Sequence, residues 1–312
     1  MKRTLILCLF LLLCRVAISQ SIVVMPQWTA QAQFAGFYVA QEKGFYKEAG
    51  VKVVILHTNA ANPALQKFID DKCDVITLQL LTAMESISKG VDMVNILQTS
   101  QNNSLIIVGG DKIKELNDLR GAKVARWSVG FSEAAFALNK DKHLNIHWIN
   151  FASGINVFVE GAVDAILAMT YNEYFQVITS GAKIGKTFMF SALGYNIPED
   201  GLWVKRSYYE KNKDQLKLFV EATKKGWLYA RSHKKEALEI VMKWTKKNHV
   251  VTNKAHQEWM LSEVLKLQED SKSGNPPFHL SRTSVDLANS ILLKAGYIKN
   301  EINFSKIAFD VW

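Results

Sequence analysis

The sequence predicts an α/β fold in two lobes, with mainly parallel sheets and a hinge beside a cleft. Short apolar runs alternate with stretches of helical spacing, the pattern that layers helices on parallel strands. The 293 residues that follow an expected 19-residue leader exceed what one hydrophobic core ordinarily encloses. The alternation falls into two series followed by a long helical stretch. The chain is therefore expected to begin one lobe, build a second, and return to the first.

Each element has its own signal. Residues 21–25, Ser-Ile-Val-Val-Met, form a strand stopped by Pro26. Residues 32–43 have helical spacing and end at Gly44. Strands follow at 51–56, 74–78 and 93–97, with helices at 63–70 and at 83–89, the latter closed by Gly90. The run 105–108 reads as a strand crossing out of the first lobe. A helical turn within 111–119, a strand at 123–125, a helix at 132–139 and strands at 146–150 and 163–168 make the second lobe. Residues 202–204 read as the return crossing, which places hinge strands near 108–111 and 202–204. Helices at 216–232, 235–246, 257–267 and 281–295 complete the chain. The expected divisions are a leader at 1–19, a first lobe at 20–109, a second at 110–201, and completion of the first at 202–312.

The N-terminus reads as an export signal. Lys2 and Arg3 precede an apolar run from Thr4 to Cys14, and Ala17 and Ser19 supply small residues for cleavage before Gln20. The run is shorter than the roughly 20 residues a bilayer span needs. Lipid attachment at Cys14 is disfavoured, because Leu13 stands where a small residue is expected and Arg15 follows. Cleavage removes Cys8 and Cys14 and leaves Cys73 alone, without a disulfide partner or metal-ligand spacing, which suits a small apolar residue in a core. The formal charge falls from +9 to +6 with Lys2, Arg3 and Arg15. The remaining excess is spread over the helical second half rather than gathered with aromatics, so it reads as solvated surface and not as a nucleic-acid face. His143 and His147 have metal-pair spacing but neither a helical setting nor a third ligand. No nucleophile elbow and no Gly-rich phosphate loop is present, and no cluster of arginines would hold a phosphate or sulfonate.

In open α/β sheets, ligands bind beyond the carboxyl ends of strands. That rule selects the loops 27–34, 78–82, 98–104, 127–131 and 169–174. They hold Trp28, Phe34, Gln79, Gln98, Gln101, Trp127, Tyr171, Asn172 and Glu173, with Tyr38 just beyond the first. Aromatics beside amides suit a small flat polar ring, which stacks on faces and hydrogen-bonds through its edge. Each residue also has a plainer role open to it. Trp28 and Trp127 could pack the lobes, Gln98 and Gln101 could cap local backbone, and Glu173 could complement a helix N-terminus.

The segment Gln27-Trp28-Thr29-Ala30-Gln31-Ala32-Gln33-Phe34-Ala35-Gly36-Phe37-Tyr38, with Lys43-Gly44-Phe45-Tyr46 after it, resembles the NMT1/THI5-like group of periplasmic binding proteins. The likeness continues through Ile96-Leu97-Gln98, Asp118-Leu119-Arg120-Gly121, Gly161-Ala162-Val163-Asp164, Tyr171-Asn172-Glu173-Tyr174, Glu199-Asp200-Gly201-Leu202 and Gly226-Trp227-Leu228-Tyr229. It implies the two-lobed type II periplasmic binding protein fold, a monomer in the periplasm, and delivery of a solute to the permease of an ABC importer. No cofactor and no catalysis are expected. Within the group, the segments resemble most the branch that binds pyrimidine precursors of thiamine. Trp28 and Trp127 would then stack on the ring, Glu173 would accept from an exocyclic amine, and Gln79 and Gln98 would read ring nitrogens.

Two other functions fit the same fold. One is a ligand sensor for a separate histidine kinase. The other is the family's thiamine-pyrimidine synthase, which carries a lysine and a sacrificial histidine after its third strand and a later run of cysteines. Here residues 74–82 contain neither lysine nor histidine, and no cysteine run exists.

Overall fold

A computed structural model describes residues 21–309 except 60, 129, 152, 153 and 271. The leader, its cleavage site, Cys8 and Cys14 lie outside the described residues. Among the described residues ten strands alternate with helices. In chain order they are β1 Ile22–Met25, β2 Val53–Ile55, β3 Val75–Leu78, β4 Met93–Gln98, β5 Leu105–Gly110, β6 Lys123–Trp127, β7 His147–Phe151, β8 Ala165–Met169, β9 Ile184–Met189 and β10 Gly201–Lys205.

They form two five-stranded sheets, ordered β2-β1-β3-β10-β4 and β7-β6-β8-β5-β9. In each sheet four strands run one way and one runs against them: β10 in the first, β5 in the second. Both exceptions are the strands by which the chain enters a lobe from the other. A chain arriving from the cleft must run away from it, opposite to strands whose carboxyl ends point at it. The strands β3, β4 and β8 are buried along their whole length, as expected for sheets covered on both faces.

The hinge differs from its expected place. The run from Leu105 is a strand of the second sheet, paired with β8 and β9, so the expected boundary at 109 falls inside β5. The outward crossing is 99–104, and the return ends at Asp200, before β10. The two passages lie side by side: Thr99 and Ser100 donate their backbone N–H to Asp200 O at 3.0 and 3.1 Å, and Ser104 N donates to Glu199 Oε1 at 2.7 Å. An apolar strand carries the same signal whichever sheet it joins, and this is why periodicity misplaced it. The chain also forms a helix at Glu173–Thr179 and the edge strand β9, neither of which its pattern announced.

The helix Lys213–Ser232 crosses the helix Ala35–Glu42 at glycine contacts. A Cβ on Gly36 would lie 2.2 Å from the Trp227 ring, and one on Gly226 would lie 2.2 Å from Gly36 O. The helix Arg282–Ala295 packs on one helix from each lobe, Leu80–Ser88 and Glu133–Asp141. Its Lys294 pairs with Asp141 of the second lobe. Further ties across the cleft are Thr82 Oγ1 donating to Glu133 Oε1 at 2.9 Å and Trp259 Nε1 donating to Thr170 O at 2.8 Å. The lobes thus touch across the cleft. No helix among the described residues is long and apolar enough to cross a membrane. Cys73 is buried and free, and burial pushes its thiol up to about 12.

Candidate functional site

Three strand ends meet between the lobes around a cavity of about 30 Å³. After β1, Pro26 stops the strand and the following turns present Gln27, Trp28, Gln31 and Gln33. Trp127 ends β6, and Phe131 follows it. After β8 come Tyr171, Asn172 and Glu173, with Met169 at the strand's last position. Trp28 and Phe131 face each other across the cleft edge to face, ring centres 6.0 Å apart at 78°. Phe131 holds a left-handed backbone (φ 60°), a conformation uncommon for a bulky residue and one that clusters at functional sites.

The first-lobe wall is a relay of amides rooted in a buried carboxylate. Gln27 Nε2 donates to Asp200 Oδ1 at 2.5 Å, and Gln33 Nε2 donates to both Asp200 oxygens at 3.1 and 2.8 Å. Gln31 Nε2 in turn donates to Gln33 Oε1 at 2.6 Å. An ionised carboxylate only accepts, so it fixes which way each amide points. The amide nitrogens face inward along the relay. Gln27 Oε1 and Gln31 Oε1 are left without a donor among the described residues. Burial raises Asp200 to about 7, while the two glutamines pull it down.

The second-lobe wall is built the same way around Glu173. Met169 N donates to its Oε2 at 3.0 Å and Asn172 Nδ2 to its Oε1 at 2.9 Å. Burial raises its carboxyl above the usual range, against hydrogen bonds from Met169, its own backbone, the Trp127 side chain and Asn172. Glu173 both opens a helix and lines the cavity, so its two sequence readings are compatible. Behind both walls, Glu199 accepts from the Ser104 hydroxyl at 2.7 Å, and burial raises it to about 8. Among the described residues, no lysine or arginine lines the cavity.

Of the residues singled out from sequence, Trp28, Trp127, Tyr171, Asn172 and Glu173 come together here. Five others lie elsewhere. Phe34 and Tyr38 are fully buried, and Tyr38 stacks on Trp244 at 4.7 Å while its hydroxyl meets His57 Nε2 at 2.9 Å. Residues 35–40 of that helix are all buried, so Tyr38 faces core rather than cleft. Gln98 is fully buried and donates to Ser100 O and Glu199 O at 3.1 and 3.2 Å, tying the crossings together. Its neighbour Gly201 has no room for a Cβ, which would sit 2.4 Å from Gln98 Oε1. Gln101 donates to Gln98 O at 3.1 Å. Gln79 precedes the helix Leu80–Ser88 and borders a separate void of about 10 Å³ with Glu133 and Glu199. His143 lies in a turn and His147 opens β7, so no helix carries that pair.

The wall residues missed from sequence are Gln27, Gln31, Gln33, Phe131, Met169 and, behind them, Asp200. Asp200 escaped because it precedes an antiparallel strand, whose starting end rather than its carboxyl end faces the cleft. Its signal was the acidic pair Glu199-Asp200 directly before Gly201 and an apolar strand.

Two lobes of matching sheet pattern, meeting around a cavity at their strand ends, make the fold of the periplasmic binding proteins. The chain belongs to the family described as NMT1/THI5 like, which it matches over residues 31–237. It is 24% identical over 239 residues to a Haemophilus influenzae protein assigned to thiamine biosynthesis, covering 72% of this chain and 74% of that one. The periplasmic aliphatic sulphonate binding protein of Escherichia coli shares its fold at a TM-score of 0.68 and 14% identity, over 93% of this chain and 92% of that one. A desulfurization enzyme shares it at a TM-score of 0.63 and 11% identity, over 93% and 96% of the two chains. At these identities the likeness concerns the fold alone, which serves binding proteins and enzymes alike.

Proposed function

We propose that this protein captures a small flat heteroaromatic ring bearing an exocyclic amine, an aminopyrimidine of the thiamine-precursor kind. It would do so outside the cytoplasm, for delivery to an ABC importer, and without chemical change to the ring. The observation that carries this reading is the polarity of the cavity. Two buried carboxylates draw the side-chain donors of both walls toward themselves, and aromatic faces line the rest. A ligand there meets acceptors and π-surfaces, which favours N–H donors on a flat ring. A sulfonate would meet the reverse: carboxylates close behind the wall and no cation to pair with. Closure about the crossings at 99–104 and 197–200 would bring the walls together, and a ligand that touches both walls would shift the population toward the closed form.

The test is a thermal-shift and calorimetric screen of the chain from Gln20 onward. Its panel is 4-amino-5-hydroxymethyl-2-methylpyrimidine, taurine, nitrate and an amino-acid mixture. The aminopyrimidine is expected to raise the melting midpoint through binding to the folded state. A shift with taurine or nitrate and none with the aminopyrimidine overturns the reading.

A further inference from the structure

A second cavity lies against the first and is much larger, about 220 Å³ against about 30 Å³. Gln27, Trp28 and Phe131 line both. The smaller space holds about one water molecule, whereas pockets for small molecules usually run to roughly 300–1,000 Å³. The polar cavity alone therefore accommodates no ring until the partition moves. That partition is the edge-to-face pair Trp28 and Phe131, both half-buried side chains. A turn of either ring would open one space toward the other.

The larger cavity has a different chemistry. Its outer wall is Pro63 and the helix Ala64–Ile69, from which Leu65 and Ile69 face it, with Leu78 at the end of β3. No charged residue among those described lines it. Apart from Gln27 on the shared wall, its polar side chains are engaged: Gln66 donates to Asp70 at 2.9 Å and Thr82 to Glu133 at 2.9 Å. Asn59 Oδ1 accepts from Ala61 N and Asn62 N at 3.0 and 3.1 Å. What remains is mainly apolar surface, including Ile69, which is 40% exposed. An apolar hollow opening onto a polar, amine-accepting one is shaped for a molecule with the same division.

We infer that the larger cavity is a second subsite, and that the ligand has two parts. An amino-bearing polar ring faces Gln27, Gln31 and Glu173. An uncharged apolar extension, such as a second ring, rests on Leu65, Ile69 and Leu78. This rests on the aminopyrimidine reading above and extends it.

Two probes differing only in the extension test it by calorimetry. They are 2-methyl-4-aminopyrimidine carrying a 5-hydroxymethyl group and the same ring carrying a 5-benzyl group. The benzyl compound is expected to bind the unaltered protein roughly tenfold more tightly, from the added apolar burial. Leu65→Trp fills the subsite and Ile69→Asp charges it. Both positions are part-exposed, and each variant's melting midpoint reports its folding. Both variants should lose the benzyl advantage and bind the hydroxymethyl compound as before. Equal or weaker benzyl binding by the unaltered protein overturns the subsite alone, as does an advantage that survives both substitutions. If neither compound binds the unaltered protein, the aminopyrimidine reading falls and the subsite with it.

Discussion

The two walls of the cleft use one device, a buried carboxylate that gathers the donors around it, but they assemble it differently. In the second lobe the acid and most of its partners lie within five consecutive residues, from Met169 at the end of β8 to Glu173 at the start of a helix. In the first lobe Gln27 reaches Asp200 across 173 positions of sequence. The second-lobe wall needs only a strand end and the turn after it. The first-lobe wall exists only after the chain has left, built another lobe and returned as β10. The near wall is a local motif and the far one a product of topology.

The comparison is broken most severely at Asp200. Asp200→Asn replaces an obligate acceptor with an amide whose nitrogen needs an acceptor of its own. Gln27 or Gln33 must then turn an oxygen inward and present its NH₂ to the cavity. Aminopyrimidine affinity should fall about ten- to hundredfold, in keeping with hydrogen bonds to charged groups. The near-isosteric side chain should leave the melting midpoint within a few degrees. Calorimetry with the hydroxymethyl compound measures the loss, and undiminished affinity would separate the relay from the site.

Acidification should act in the same direction. Asp200, raised by burial to about 7, and Glu173, raised by burial, are pure acceptors only when ionised, because protonation makes one oxygen a donor. Protons compete with a donor ligand below those values, so affinity should weaken as pH falls through 7, roughly tenfold between pH 8 and pH 6 for one such group. A titration of Kd against pH checks this. The component centred near 7 should vanish in Asp200→Asn, and a Kd independent of pH in the unaltered protein would deny the role of the ionised relay.

Glu173→Gln probes the local wall with a gentler change, because the amide keeps one accepting oxygen. A loss of about two- to tenfold is expected, the difference between a charged and a neutral hydrogen bond. Identical affinity would remove Glu173 from ligand contact. The smallest effect on binding belongs to Tyr38→Phe. That hydroxyl meets His57 in the core, and burial lowers His57 to about 4. Stability should fall by about 1 kcal/mol for the lost hydrogen bond, visible in the urea midpoint, with ligand affinity unchanged. A large change in Kd would return Tyr38 to the site.

Much of the architecture is legible in the sequence. Strand and helix alternation marked most of the elements, and the carboxyl-end rule found Trp28, Trp127, Tyr171, Asn172 and Glu173, because each follows an apolar strand within a few positions. The same rule also collected Phe34, Gln98 and Gln101, because nearness to a strand end does not tell a side chain that faces the cleft from one that faces the core or braces the hinge. Gln98 has the composition of a ligand contact and spends it holding the crossings together.

The sequence by itself determined the α/β layering, the outward-and-return path of the chain and the amide and aromatic character of the cleft. These depend on periodicity and on residue type, which are local properties. Only the tertiary structure decided that β5 belongs to the second sheet and β10 to the first, and that Asp200 therefore stands behind Gln27 and Gln33. Which strands pair depends on contacts between distant residues, and so does the direction in which a buried carboxylate turns the amides around it.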